Sequence, residues 1–247
     1  MASQEGSLVG KGQSSSQSDQ STIKQDFPSA RMLNSELIKI EAGVGDTKTY
    51  FIHISVLCAE SEMYRAQLRG SGTWKEKTEG KISTEEIPEI FDSFVNYIYR
   101  KSLPKAETEG DAYLVHLARL YCMGDRLMAR NFQEAVFRRF TEKLDILDPI
   151  SLDALCELLE VAFAELPEKR KNDDQLQSAI GPLAAFRFPE LWKHPPFRDE
   201  LSREHPGMMR PICFSLAKMV DVNYAMWEFK GQEQERREEK KKNELFW

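Results

Sequence analysis

Leu37-Ile38-Lys39-Ile40-Glu41 alternates apolar and polar side chains, the period of a strand with one buried face. Gly43 to Thr47 carries turn residues, and Lys48 to His53 resumes with β-branched and aromatic side chains, predicting a returning strand and hence a hairpin. After His53 the spacing changes. Val56, Leu57, Ser61 and Tyr64 fall at helical intervals, so a strand hands over directly to a helix. Ile82, within Gly80-Lys81-Ile82-Ser83, marks a short third strand expected to join the hairpin.

Helical periods dominate the rest. Ser83-x-x-Glu86 has the form of a capping box, but a helix begun there would hold Pro88 inside it. Proline fits the first turn, so the helix is expected to start at Ile87 or Pro88, with Phe91, Phe94, Val95 and Ile98 on its apolar face. Asp111 reads as the N-cap of the next helix, whose stripe is Leu114, Leu117, Leu120 and Tyr121. Phe132, Val136, Phe140 and Leu144 space out another. Asp148-Pro149 reads as a further N-cap and first turn, opening a helix with Leu152, Leu155, Leu158, Leu159, Ala162 and Phe163 that stops before Pro167. Glu168 to Asp174 reads as a charged loop. Helices are also expected over Leu176 to Ala185, Phe197 to Ser202 and Ile212 to Phe229, with Pro189, Pro195 and Pro196 making the connections irregular. This later part shows no internal repeat, and its helices either pack onto the preceding ones or form a satellite unit.

Composition narrows the class. The 247 residues are 41% hydrophobic and 30% charged, ordinary for a globular chain, and the net charge of −6 provides no global basic field for nucleic acid. No apolar run approaches the ~20 residues of a membrane-spanning helix, and the N-terminus lacks a secretory apolar stretch. Cys58, Cys122, Cys156 and Cys213 are scattered through mostly apolar helical patterns and read as reduced core thiols. Residues 1 to 31 are rich in Ser and Gln and nearly devoid of large apolar side chains, the composition of a disordered tail. Residues 230 to 247 intermix Glu with Arg236-Arg237 and Lys240-Lys241-Lys242, a charged helix or tail in which a nuclear-import patch is the minor reading.

No catalytic or metal constellation emerges. His53 and Cys58 invite a nucleophile-and-base reading, but they straddle a strand-to-helix junction with no orienting partner in view, and a buried His bonding the backbone is the expectation. The chain has no C-x-x-C or H-E-x-x-H, and Gly70-Ser71-Gly72 lacks the strand and the Lys-Ser or Lys-Thr of a phosphate loop. Asp125 is expected near a helix end as a surface cap or salt-bridge partner. We expect no enzyme, cofactor or metal.

Tyr50, Ile52, His53, Ser55, Val56, Leu57, Ser61 and Tyr64 together resemble the heart of the BTB/POZ domain, in which an aromatic, a His, a Val-Leu pair and a Ser precede further aromatics. The resemblance continues in order. Gly72-Thr73-Trp74-Lys75-Glu76 is similar to that family's small-residue loop ending in a bulky residue, a gap and Glu. Ile87 to Tyr99 is similar to its helix ending in Ile-Tyr. Leu120-Tyr121-Cys122-Met123-Gly124-Asp125-Arg126-Leu127 is similar to its Leu-Tyr-x-Leu-Ala-Asp-Lys-Leu helix, with Gly124 where Ala is usual.

This resemblance implies an α+β fold, a small sheet with a cluster of helices, over residues 32 to 145, followed by a helical extension over 146 to 229. It also implies protein partners: an adaptor or scaffold, with a cullin of a ubiquitin ligase as one partner and a second copy as another. Trp74 and Glu76 are the partner-binding residues it implies; Tyr50, Ile52, His53, Leu57, Ser61, Tyr64 and Asp125 are the motif residues. The different-class alternative is a nuclear regulatory protein that self-associates. The segment before Glu36 is short and shows no helix signal, so a strand-exchanged dimer is not expected; Glu36 stands where the family's repressor-type members have Asp and Ile54 where they have Lys or Arg, so their charged pocket is not expected either. The layout is most similar to fungal single-BTB proteins, and the expected location is cytoplasmic or nuclear.

Overall fold

The computed structural model describes residues 28–69, 79–103, 110–144, 150–166 and 174–219. It opens with a single helical turn, α1 (Ala30–Leu33), where the sequence shows no helix signal. Four residues carry too little periodicity to be read. The turn is held from outside itself, by Ser35 Oγ on the Met32 carbonyl at 2.9 Å and by packing on the helix that follows the hairpin.

The hairpin forms as β1 (Leu37–Ala42) and β2 (Lys48–His53), antiparallel with Ile38 opposite Ile52 and Ile40 opposite Tyr50. Its alternation puts Ile38, Ile40, Ala42, Tyr50 and Ile52 on one buried face. Gly43 turns the chain at φ 120°, and a Cβ there would sit 2.5 Å from the Asp46 carbonyl oxygen, so only glycine fits. β3 (Lys81–Thr84) lies parallel on the other side of β1, giving the order β2-β1-β3 and setting Ile82 against Ile40.

Helices α2 (Ile54–Glu60), α3 (Glu62–Arg69) and α4 (Pro88–Arg100) pack around the buried face. Pro88 occupies the first position of α4, with Ile87 outside as N-cap, as the proline argument requires. The next helix, α5 (Asp111–Arg126), corrects one expectation: Gly110 is its N-cap, and Asp111 is its first helical residue. The Asp111 carboxylate reaches across instead and accepts the Ser151 main-chain N–H at 2.9 Å. α6 (Arg130–Leu144) returns antiparallel and packs closely on α5. Gly124 sits at the approach: a Cβ there would lie 3.1 Å from the Gln133 Cβ and 3.3 Å from the Phe132 ring.

α7 (Leu152–Ala164) also corrects its expected start. Ser151, extended at ψ 154°, is the N-cap and accepts the Ala154 N–H at 3.3 Å, so the helix begins later than Asp148-Pro149 signals. Tertiary bonds hold the chain straight before it, because the Ile150 carbonyl is taken by Arg187 at 2.7 Å and Ser151 N–H by Asp111. Asp174, expected in a charged loop, is buried as the N-cap of α8 (Gln175–Phe186), accepting from Leu176 N–H at 2.8 Å and from the Tyr121 hydroxyl at 3.2 Å. α9 (Phe188–Leu191), a π-helical turn at Pro196–Leu201 continuing into Ser202–Glu204, a tight turn at Pro206–Met208 and helical residues 209–219 complete the description. Of the two arrangements open for these helices, the structure has the packed one: α7 lies along α5, and a single apolar core runs from Ile38 to Ile212.

Leu57 is fully buried where sheet and helices meet. Leu57→Ala should cost ~2–5 kcal/mol in denaturant unfolding, the range for emptying a large core site; a change under about half a kcal/mol would place Leu57 outside the core.

Candidate partner-binding face

The junction β2–α2–α3 gathers most of the motif residues. Tyr50 packs edge-on to Phe91 at 5.0 Å, and its hydroxyl lies 3.0 Å from both the Pro88 carbonyl and Asp92 Oδ1, while Lys48 bridges to the same carboxylate at 2.7 Å. Burial, then the Asp92 hydrogen bond, raises the Tyr50 phenol well above its usual range. Ile52, Leu57 and Tyr64 are fully buried. Ser61 is the pivot between α2 and α3. Its hydroxyl donates to the Leu127 carbonyl at 2.5 Å and accepts the Tyr64 N–H at 3.2 Å, a span of 66 residues in sequence.

His53 departs from its expected role. It is half-buried rather than buried, and its ring meets a side chain, not the backbone: the Tyr99 hydroxyl accepts the His53 main-chain N–H at 3.0 Å and lies 2.8 Å from Nδ1. The residue therefore fastens the end of β2 to the end of α4. Cys58, five positions on, is buried, and burial raises its thiol despite the opposing influence of Arg69 and Arg65. A raised thiol disfavours the thiolate that nucleophilic chemistry needs. Asp125 lies in the last turn of α5, where its main-chain carbonyl accepts Met128 N–H at 3.0 Å and the Gln133 amide lies 3.5 Å from Oδ1.

Sequence reasoning missed Glu60. It closes α2 at the end of the apolar run Val56-Leu57-Cys58-Ala59 and is 4% exposed. One carboxylate oxygen meets Lys101 at 2.6 Å, and the other accepts the Phe132 N–H, in the first turn of α6, at 3.1 Å. That carboxylate joins α2, α4 and α6 and sits at the positive end of α6. Tyr97 completes the cluster: Lys101 Nζ lies 5.3 Å from its ring centre, its hydroxyl donates to the Asn131 carbonyl at 3.0 Å, and burial, with Glu60 second, pushes its phenol up to about 12. The available signal was local misfit. An acid in the last turn of a helix opposes the helix dipole, so it needs a partner from elsewhere.

Beside this junction α1, α2 and α3 enclose a groove of ≈ 460 Å³, lined by Arg31 and Met32 of α1, Ser55, Cys58 and Ala59 of α2, and Arg65 and Arg69 of α3. Trp74 and Glu76 lie outside the described residues, in the segment that follows α3. Among the described residues no group of three or more His, Cys, Asp or Glu is arranged to hold a metal ion, and no helix is long and apolar enough to cross a membrane.

Glu60→Ala should cost ~3 kcal/mol or more in urea unfolding, because it strands Lys101 and the Phe132 N–H together. Glu60→Gln keeps an acceptor for Phe132 and should cost clearly less. Equal losses for the two variants would show that the Phe132 bond contributes nothing.

No curated protein matches the chain. A family model for the BTB/POZ domain matches residues 31–134, from α1 into the start of α6, and takes in the hairpin, the Ser61 pivot and α5. With its small three-stranded sheet, its surrounding helices and this match, residues 31–134 of the chain are a BTB/POZ domain, a protein–protein interaction module.

Proposed function

We propose that this protein is an adaptor or scaffold that brings other proteins together, with a cullin as the first partner to test. The observation that carries the reading is the BTB/POZ module itself, joined through α5 to helices that broaden its surface. Five side-chain contacts support that union: Asp111 to Ser151, Arg119 to Glu157, Cys122 to the Val161 carbonyl, Arg126 to Glu165 and Tyr121 to Asp174. A module so flanked offers separate faces to separate partners. Support for the cullin face comes from the sequence, where Trp74-Lys75-Glu76 follows α3 and a large aromatic is the kind of side chain that anchors an interface.

A competing reading, self-association in a nuclear regulatory protein, draws on the sheet. β2 is an edge strand, and its outward Phe51 is 66% exposed beside Leu37 at 55%. An exposed apolar pair on the outer face of the sheet, Phe51 on the open edge strand β2 and Leu37 on the central β1, favours contact with another chain.

If Trp74 anchors a cullin, Trp74→Ala should weaken cullin binding by roughly thirtyfold or more, about 2 kcal/mol, with thermal stability nearly unchanged. A clear loss of stability with unaltered binding would assign Trp74 to its own domain's packing. Wild-type protein that binds no cullin at micromolar concentration, yet sediments as a dimer that Phe51→Glu dissociates, would establish the competing reading.

A further inference from the structure

The groove between α1, α2 and α3 carries a charge pattern at odds with the chain around it. The protein has 40 acidic and 34 basic residues, yet the groove's lining contains three arginines and no carboxylate. Among the described residues none of Arg31, Arg65 and Arg69 joins an ion pair, whereas Arg119, Arg126 and Arg187 all do. A single unpaired arginine on a surface is unremarkable. Three lining one concavity repel one another, and an anion placed among them removes that repulsion.

Two of the three are already positioned. Arg65 donates from Nε to the Cys58 carbonyl at 2.8 Å and from Nη2 to the Ala59 carbonyl at 3.4 Å. Arg69 donates from Nη2 to Ser55 Oγ at 2.8 Å. A guanidinium has five N–H donors, so each keeps others for a ligand. These bonds hold the guanidinium planes before any ligand arrives, which lowers the entropy lost on binding. Ser55 is itself fixed, its main-chain N–H donating to Ser35 Oγ at 3.0 Å.

We propose that this groove docks an acidic peptide segment of a partner protein, with its carboxylates on the three arginines and an apolar side chain against Met32 and Ala59. Arginine forks match carboxylates in a bidentate manner, and arginine clusters are a recurring means of reading acidic motifs. The shape favours a peptide over a nucleic acid. A polyanion needs a basic track along which its backbone runs, and here the groove offers three arginines in one short concavity on a chain of net charge −6. The inference rests on the interaction reading above and names the chemistry of one partner.

The test is fluorescence anisotropy on the full chain with a labelled peptide of about twelve residues in which Asp and Glu alternate with Leu, beside its Asn/Gln counterpart and a single-stranded oligonucleotide. The acidic peptide should bind in the micromolar range, at least about tenfold tighter than the neutral one, and weaken as salt rises. Arg31→Glu should weaken it by about tenfold or more. Arg31 makes no hydrogen bond or ion pair among the described residues, so this change leaves the fold intact, and Arg69→Gln with an unaltered melting temperature gives a second reading. Three results overturn the proposal: no saturation at about 1 mM peptide, affinity indifferent to both variants, or an oligonucleotide bound as tightly as the peptide. Partners still recovered equally by wild type and Arg31→Glu would then leave the interaction reading standing while this one falls.

Discussion

α5 has almost no side to give to water. Ten of its sixteen residues are buried, and only Asp111, Ala112, His116, Arg119, Asp125 and Arg126 reach the surface. A helix so apolar around its circumference must be surrounded, and the rest of the molecule supplies the cover. α4 and α6 close one side and α7 the other. Even these surface positions are used, because Arg119 and Arg126 reach Glu157 and Glu165 of the α7 region. Arg126 also forms a two-pronged contact with Glu86 ahead of α4, and that hydrogen bonding raises its already high pKa further. The order of elements thus follows from one requirement, to bury this helix on all sides.

Apolar cover alone does not select a single arrangement of helices, and polar contacts between distant segments supply the selection. Ser61 spans from α2 to the end of α5, Glu60 from α2 to α4 and α6, Asp174 from α8 to α5. Each is buried, and each has hydrogen-bond partners met only when the helices sit in their native places. A slipped packing would leave these groups dry and unpaired, at a cost well above that of a misplaced methyl group. Tyr99 plays the same part at the half-buried edge, joining the end of β2 through His53.

The elements written in the sequence are those whose signal is local. Alternation at Leu37 to Glu41, the turn at Gly43, Pro88 at a first helical position and the stripe through Leu114 and Leu117 all correspond to what the structure contains. What was hidden depends on groups far away in sequence. Asp111 has the right chemistry for an N-cap but is drawn to Ser151, and Gly110 takes its place. Asp148-Pro149 is a sound start signal overruled by bonds to Ile150 and Ser151. α1 is too short to show a period, and it supplies the groove with Arg31 and Met32. The groove itself was illegible, since its three arginines come from two helices that no pattern joins. The loop bearing Trp74 and Glu76 was the reverse case, legible by resemblance alone.

The family match stops at residue 134, five residues into α6, whereas the cover of α5 continues to α7, and Tyr121 of α5 reaches the α8 N-cap Asp174. A fragment cut at that boundary would leave α6 as little more than one turn, without the buried Val136 and Phe140, and would bare the side of α5 on which α7 packs. Such a fragment would turn an oily surface to solvent and clump. The interaction module of this protein is therefore not a portable cassette: its solubility is lent by the helices that follow it, so shuffling or expressing the family segment by itself would separate the recognition surface from the part that keeps it in solution.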